Sequence, residues 1–195
     1  MKVAFIGSHG TGKTTLCFAL AAHFKRLDLN VDLVKEVARS SPLPLNRETT
    51  LDAQRWILHT QIANEIAAAA RHDAVVCDRA VIDNYAYLVH RCGRQVVLDA
   101  LVKEWMQTYE ALFRVPILFR PSFDGVRDTS SGFQRQIDDI IDELLVEFEV
   151  KHTRLTSTNP DRWLGEILNV LGLPLEPPQI ALFGDEDPSS PDTGA

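Results

Sequence analysis

The chain is short of cysteine, of net positive charge and of long apolar runs, and each shortage excludes a class of protein. Cys17, Cys77 and Cys92 form no CxxC pair, and an odd number without ligand spacing argues against a disulfide frame or a zinc site. Two of the three fall in apolar runs that read as a helix and a strand, and all three read as reduced, buried residues of a cytoplasmic protein. Lys and Arg number 20 against 27 Asp and Glu, a formal charge of -7. That leaves no global basic field to hold a nucleic-acid backbone or an anionic membrane. The apolar stretch Val3 to Ile6 stops at a glycine and is too short for a signal peptide, and no later run approaches membrane-spanning length. A soluble intracellular protein without a membrane partner is expected.

At 195 residues and 45% hydrophobic content, the chain can bury one sizeable core, which favours a single domain. Much of the negative charge sits at the end. From Pro174 to Ala195 there are Glu176, Asp185, Glu186, Asp187 and Asp192 with no Lys or Arg, so the rest of the chain is close to neutral and a local basic pocket is allowed. Five of the ten prolines lie in the same stretch. Residues 1–172 therefore read as a catalytic domain and 173–195 as an acidic, proline-rich, disordered tail, with Ile180, Leu182 and Phe183 able to dock.

Strand and helix patterns alternate from the first residue, the mark of an α/β sheet whose parallel strands are buried on both faces. Strands are expected at Lys2 to Gly7, Val31 to Val37, Ala74 to Cys77, Val115 to Phe119 and, weakly, Val150 to Leu155. Thr50 is placed to cap a helix running to about Arg71, with Leu58, Ile62, Ile66 and Ala69 as its stripe. Further helices are expected at Asp83 to Arg91 and Gln95 to Tyr109. Another carries Ile137, Ile141, Leu144 and Phe148, and a last one starts at Asn159-Pro160 and ends at Gly172. Trp56, Trp105 and Trp163 read as packing residues. No internal repeat is present.

Gly7-Ser8-His9-Gly10-Thr11-Gly12-Lys13-Thr14 matches G-x-x-x-x-G-K-[ST] between a short apolar strand and an amphipathic helix, the context a P-loop requires. The expected fold is thus a P-loop NTPase: a five-stranded parallel sheet between helices. Gly7, Gly10 and Gly12 allow successive N–H groups to turn toward phosphate oxygens at a helix N-terminus, whose partial charge is positive. Lys13 would reach the β and γ phosphates of ATP, and the Thr14 hydroxyl would ligate Mg²⁺. Thr15 is a secondary phosphate contact. His9 would touch phosphate or substrate, or simply face solvent, the reading preferred from sequence.

Ligands of such sheets sit beyond the carboxyl ends of the strands, where Lys35-Glu36-Val37-Ala38-Arg39 and Cys77-Asp78-Arg79 stand. With the phosphate loop, the run Asp78-Arg79 to Asp83-Asn84-Tyr85 and Tyr87, and the stretch Asp124 to Asp128, the chain resembles small P-loop kinases and ATPases related to the ribosylnicotinamide kinase domain. More distantly it resembles thymidylate and deoxynucleoside kinases. The resemblance implies that Asp78 organises the magnesium shell, that Glu36 is a base or acceptor anchor, and that Arg39 and Arg79 contact substrate or phosphate. A surface pair at a loop start is the competing account of Glu36 and Arg39. Tyr85 and Tyr87 fit base stacking or helix packing equally.

Arg120, Arg127 and Arg135 flank a glycine-bearing loop, expected to be a mobile lid over about 120–135 that brings cations over the phosphates and expels water. Arg127 and Arg135 are its candidate substrate contacts, Arg127 also catalytic. Arginines paired with Asp124, Asp128 and Asp138 in a bland loop are the alternative. The function expected is transfer of the γ-phosphoryl group of ATP, with Mg²⁺, to a hydroxyl of a nucleoside, nucleotide or related metabolite. A kinase acting on a modified pyrimidine within DNA, and a regulatory nucleotide-binding switch, are the alternatives. No DNA-binding motif and no sensor element of a ring-forming motor accompanies the loop.

Overall fold

A computed structural model describes residues 1–45, 48–118 and 131–176. Strands β1 (Lys2–Ile6), β2 (Val31–Val34), β3 (Ala74–Asp78), β4 (Ala111–Arg114) and β5 (Thr153–Arg154) form one sheet in the order β2-β3-β1-β4-β5. Every pairing is parallel. Helices α1 (Lys13–Arg26), α2 (Leu51–Ala69), α3 (Val81–Cys92), α4 (Val96–Met106), α5 (Ser131–Glu147) and α6 (Trp163–Leu171) cover both faces. The pleat sorts the strand residues. Ala4, Ile6, Val75 and Cys77 face the core built with α2 to α5, whereas Val3, Phe5, Val76 and Phe113 face α1 and α6. The chain passes from β3 to β4 on opposite sides of β1, so the carboxyl end of β1 lies at the crevice where such folds bind ligands.

Most expected elements are present. The Thr50 hydroxyl caps α2 by accepting the Ala53 N–H, and Ile137, Ile141, Leu144 and Phe148 are buried on α5. Gly172 ends α6 in the left-handed conformation. Cys17 and Cys77 are buried, and burial pushes both thiols well above their ordinary range. Cys92, expected to be buried, is only partly so. No helix among the described residues is long and apolar enough to cross a membrane.

The fourth strand is displaced from its expected place at Val115 to Phe119 and occupies Ala111–Arg114. Two facts of chemistry moved it. Pro116 has no N–H for a ladder, and Arg114, which interrupts the apolar run, is fully buried inside the strand by two carboxylates. The preceding helix correspondingly stops at Met106 and not at Tyr109, whose hydroxyl is held in the core by Glu65. The fifth strand is shortened to two residues.

Helix α2 also buries a different stripe. Ile66 is exposed, while Gln54, Ile57, Leu58, Gln61, Glu65 and Ala68 face inward. Glu65 can be buried because Lys2, Gln61, Trp105 and Tyr109 all donate to its carboxylate, which satisfies a charge that would otherwise be costly in the core. Of the expected lid, 119–130 lie outside the described residues, Arg120 and Arg127 with them. The remainder, from Ser131, is the first turn of α5. Of the expected tail, 177–195 likewise lie outside. The first of its residues stay against the domain, with Leu173 on the α1–α6 core and the Pro174 carbonyl 2.8 Å from His23 Nε2, while Leu175 is exposed.

Candidate nucleotide-binding site

Gly7, Gly10 and Gly12 all have positive φ, at 152°, 72° and 92°, which a side chain would resist. At Gly7 the case is also steric. A Cβ there would lie 2.9 Å from the Val115 carbonyl oxygen and 3.0 Å from Arg114, so the loop can run against the end of β4 only as glycine. Trp163, buried on α6, packs below Gly12.

Lys13 is folded back into the loop: its Nζ donates to the Gly7 carbonyl at 2.6 Å, to the Ser8 carbonyl and to Thr11 Oγ1 at 3.3 Å. Burial, reinforced by the Arg79 charge, pushes its pKa down to about 8, against the pull of Asp83, Asp78 and Glu36. The strand ends after β2 and β3 thus converge on the loop lysine. Thr14 Oγ1 donates to Asp78 Oδ2 at 2.6 Å. A hydroxyl and a carboxylate brought together beside a phosphate cradle are the hard oxygen ligands that suit Mg²⁺. These two residues would hold the ion, which when bound neutralises phosphate charge.

On the other side, Arg79 donates through Nε to Glu36 Oε1 at 2.9 Å, with its terminal nitrogen also 2.9 Å away. Arg39 Nε donates to Glu36 Oε2 at 3.0 Å. Glu36 and Arg79 are 8% and 3% exposed, so Glu36 belongs to a buried ion pair, whereas Arg39, its other partner, is half-exposed as a surface pair would have it. Arg79 carries φ of 102°, an uncommon conformation for a side chain of its size. Its guanidinium lies 4.9 Å over the Tyr87 ring. Among the described residues its Nη1 is a buried donor with no hydrogen-bond partner, as are Asn84 Nδ2 on α3 and the Ser8 hydroxyl in the loop. Glu36 and Arg39 also close one end of a groove of about 510 Å³ between β2 and α2.

The structure does not bring every candidate together in the same way. His9 is not solvent-facing: it is 2% exposed, its Nδ1 lies 3.1 Å from the Tyr87 hydroxyl and its ring packs on Phe133. Tyr87 stands between His9 and Arg79, whereas Tyr85 is a core residue whose hydroxyl bonds Asp99 and Gln95. Thr15 and Arg135 are exposed, Arg135 on α5. Arg114, Gln134 and Asp138 carry no site role in the sequence reading, which has Asp83 only in the run after β3, yet all four contact the phosphate loop or brace what does. The chain register offered a signal for only one of them, since Asp83 follows Asp78-Arg79 at helical reach.

A family model described as AAA domain matches residues 2–162. The chain belongs to that family. No curated protein sequence matches this AAA-domain chain. Among solved structures, it is similar to thymidylate kinase from Ehrlichia chaffeensis, at 17% identity and a TM-score of 0.63 over 88% of this chain and 98% of that one. It is similar as well to deoxyadenosine kinase from M. mycoides with bound dATP, at 13% identity and a TM-score of 0.62 over 88% of this chain and 99% of the other. At such identities the likeness is one of fold, and the AAA-domain chain has the P-loop fold of these kinases across nearly all of its described residues.

Proposed function

We propose that the protein is a P-loop kinase that moves the γ-phosphoryl group of ATP to a hydroxyl of a nucleoside, nucleotide or related metabolite. The observation that carries this reading is the convergence on Lys13 of two strand ends of opposite use: Thr14 bonded to Asp78, and the buried Glu36–Arg79 pair. A nucleotide switch needs the first pair and has no use for the second. Burying two charges is expensive and often adds nothing to stability, so the Glu36–Arg79 pair at a strand end calls for a functional explanation.

In this reading, backbone N–H groups of the loop hold the phosphates and Lys13 leaves its carbonyl partners to meet them. Thr14 and Asp78 hold Mg²⁺. Arg79 stabilises charge on the transferred group, while Glu36, held between two guanidinium groups, orients the acceptor hydroxyl or accepts its proton. The unpartnered donors of Arg79, Asn84 and Ser8 suit an acceptor rich in oxygen. Arg127 and Arg135 would bring charge from the lid side. The solved relatives bear the names of nucleoside and nucleotide kinases, so those acceptors come first in the test. The protein is incubated with γ-labelled ATP, Mg²⁺ and separate pools of nucleosides, nucleotides and DNA. Label in a nucleoside or nucleotide is expected, and release of inorganic phosphate alone with every pool would reject the reading.

A further inference from the structure

The entering arm of the phosphate loop is held from outside by two carboxylates that come from different helices. The Gly7 N–H donates to Asp83 Oδ1 at 2.7 Å, and the other oxygen of Asp83 accepts the Ala80 N–H at 2.9 Å, which ties the loop to the turn after Asp78 and Arg79. The Ser8 N–H donates to Asp138 Oδ1 at 3.3 Å. Asp138 Oδ2 meets the buried Arg114 at 2.7 Å, and Asp142, one turn further along α5, meets the same guanidinium at 2.8 Å. One residue on, the His9 carbonyl accepts from Gln134 Nε2 at 2.7 Å. The N–H groups of Gly7 and Ser8 therefore go to the carboxylates, while their carbonyls go to Lys13.

Resting on the nucleotide-binding reading, that division of partners has a consequence. Once Lys13 turns to a phosphate, it no longer holds the Gly7 and Ser8 carbonyls; the Thr11 hydroxyl still donates to the Ser8 carbonyl at 3.2 Å, and the other side chains that fix the arm are those outside the loop. We propose that Asp83 and Asp138 are positioning residues for nucleotide binding, which hold the Gly7 and Ser8 peptide groups in place when Lys13 has left them. The later N–H groups of the loop inherit their direction from this arm, and a displacement of about 1 Å in a phosphate-positioning group costs roughly 10²-fold in rate. Arg114 sets the position of Asp138 against the loop.

The test compares Mg-ATP binding by calorimetry in the full chain and in Asp138→Ala and Asp138→Asn. Loss of the acceptor for Ser8 in Asp138→Ala is expected to weaken binding about tenfold, the effect of one buried donor left without a partner. Asp138→Asn keeps an oxygen for that N–H and is expected to recover most of the loss. Equal loss in both variants would make Asp138 only a charge partner of Arg114, and unchanged binding in Asp138→Ala would also overturn the inference. If the alanine variant does not fold, amide hydrogen exchange on the wild-type chain serves. Gly7 and Ser8 are expected to stay protected with Mg-ATP bound, and free exchange there overturns the proposal. A wild-type chain that takes up no Mg-ATP removes the underlying reading and this inference together, whereas wild-type uptake with an undiminished alanine variant removes the inference alone.

Discussion

On the phosphate side of the site, position is set by backbone: three glycines with positive φ, and two N–H groups fixed to Asp83 and Asp138. At the ends of β2 and β3, the side proposed to take the acceptor, it is set by side-chain charge, through Glu36 between Arg79 and Arg39. Backbone geometry serves a ligand part that never varies, a polyphosphate. In the proposed function, the charged side chains at those strand ends would decide which acceptor is taken, since function lives in sites grafted on a fold. The sharpest way to separate the two is to remove one cation from the phosphate side. Lys13→Ala is expected to lower phosphoryl transfer by about 10²–10³-fold, the scale of a lost transition-state charge contact. Circular dichroism should show the fold retained, because the lysine's partners are loop carbonyls that water can serve. Turnover at the wild-type level would place the site elsewhere.

Glu36→Gln probes the opposite side. Transfer is expected to fall at least about tenfold while the affinity for Mg-ATP changes little, because the amide holds Arg79 in place but cannot take a proton from an acceptor. Equal losses in transfer and nucleotide affinity, read from transfer kinetics and calorimetry, would merge the two sides into one. Gly7→Ala tests the backbone account with a stability readout. A Cβ 2.9 Å from the Val115 oxygen at φ of 152° is expected to cost about 1–3 kcal/mol in denaturant unfolding, and an unchanged midpoint would mean that the loop tolerates a different path.

The same contrast explains what could be read in the sequence. The loop from Gly7 to Thr14 is a local pattern, eight adjacent residues whose chemistry is complete in itself, and Asp78 could be read because it ends an apolar strand. The parallel five-stranded sheet followed from alternation alone. What could not be read was held by distant partners. Asp138 meets Ser8 across 130 positions of chain and Asp83 meets Gly7 across 76, and no period connects them. Arg114 was hidden because a buried arginine breaks the apolar run that marks a strand. Gln54, Gln61 and Glu65 put polar residues on the inner face of α2, so of the stripe chosen by hydrophobicity Leu58 and Ile62 meet the core while Ile66 and Ala69 are exposed. In each case satisfied polar chemistry replaced apolar burial, and the pattern that depends on burial failed there.

The smallest effect concerns Asp142, which reaches the phosphate loop only through Arg114. Burial favours its neutral form, but hydrogen bonds from Arg114 and then Arg154 outweigh this and hold its pKa below the ordinary value of 3.8. A carboxylate depressed in the folded state adds stability that is fully present above 3.8 and is lost as pH falls through the lower folded value. Thermal melting of wild type and Asp142→Asn between neutral pH and about pH 3 should therefore show curves that draw together as acid is added. Because Arg154 is half-exposed, its share is screened, and Arg154→Ala should move the melting temperature less than Asp142→Asn at neutral pH. If the two substitutions were equal, the bridge from Arg114 through Asp142 would add nothing to the brace beneath the phosphate loop, and Asp138 alone would have to carry it.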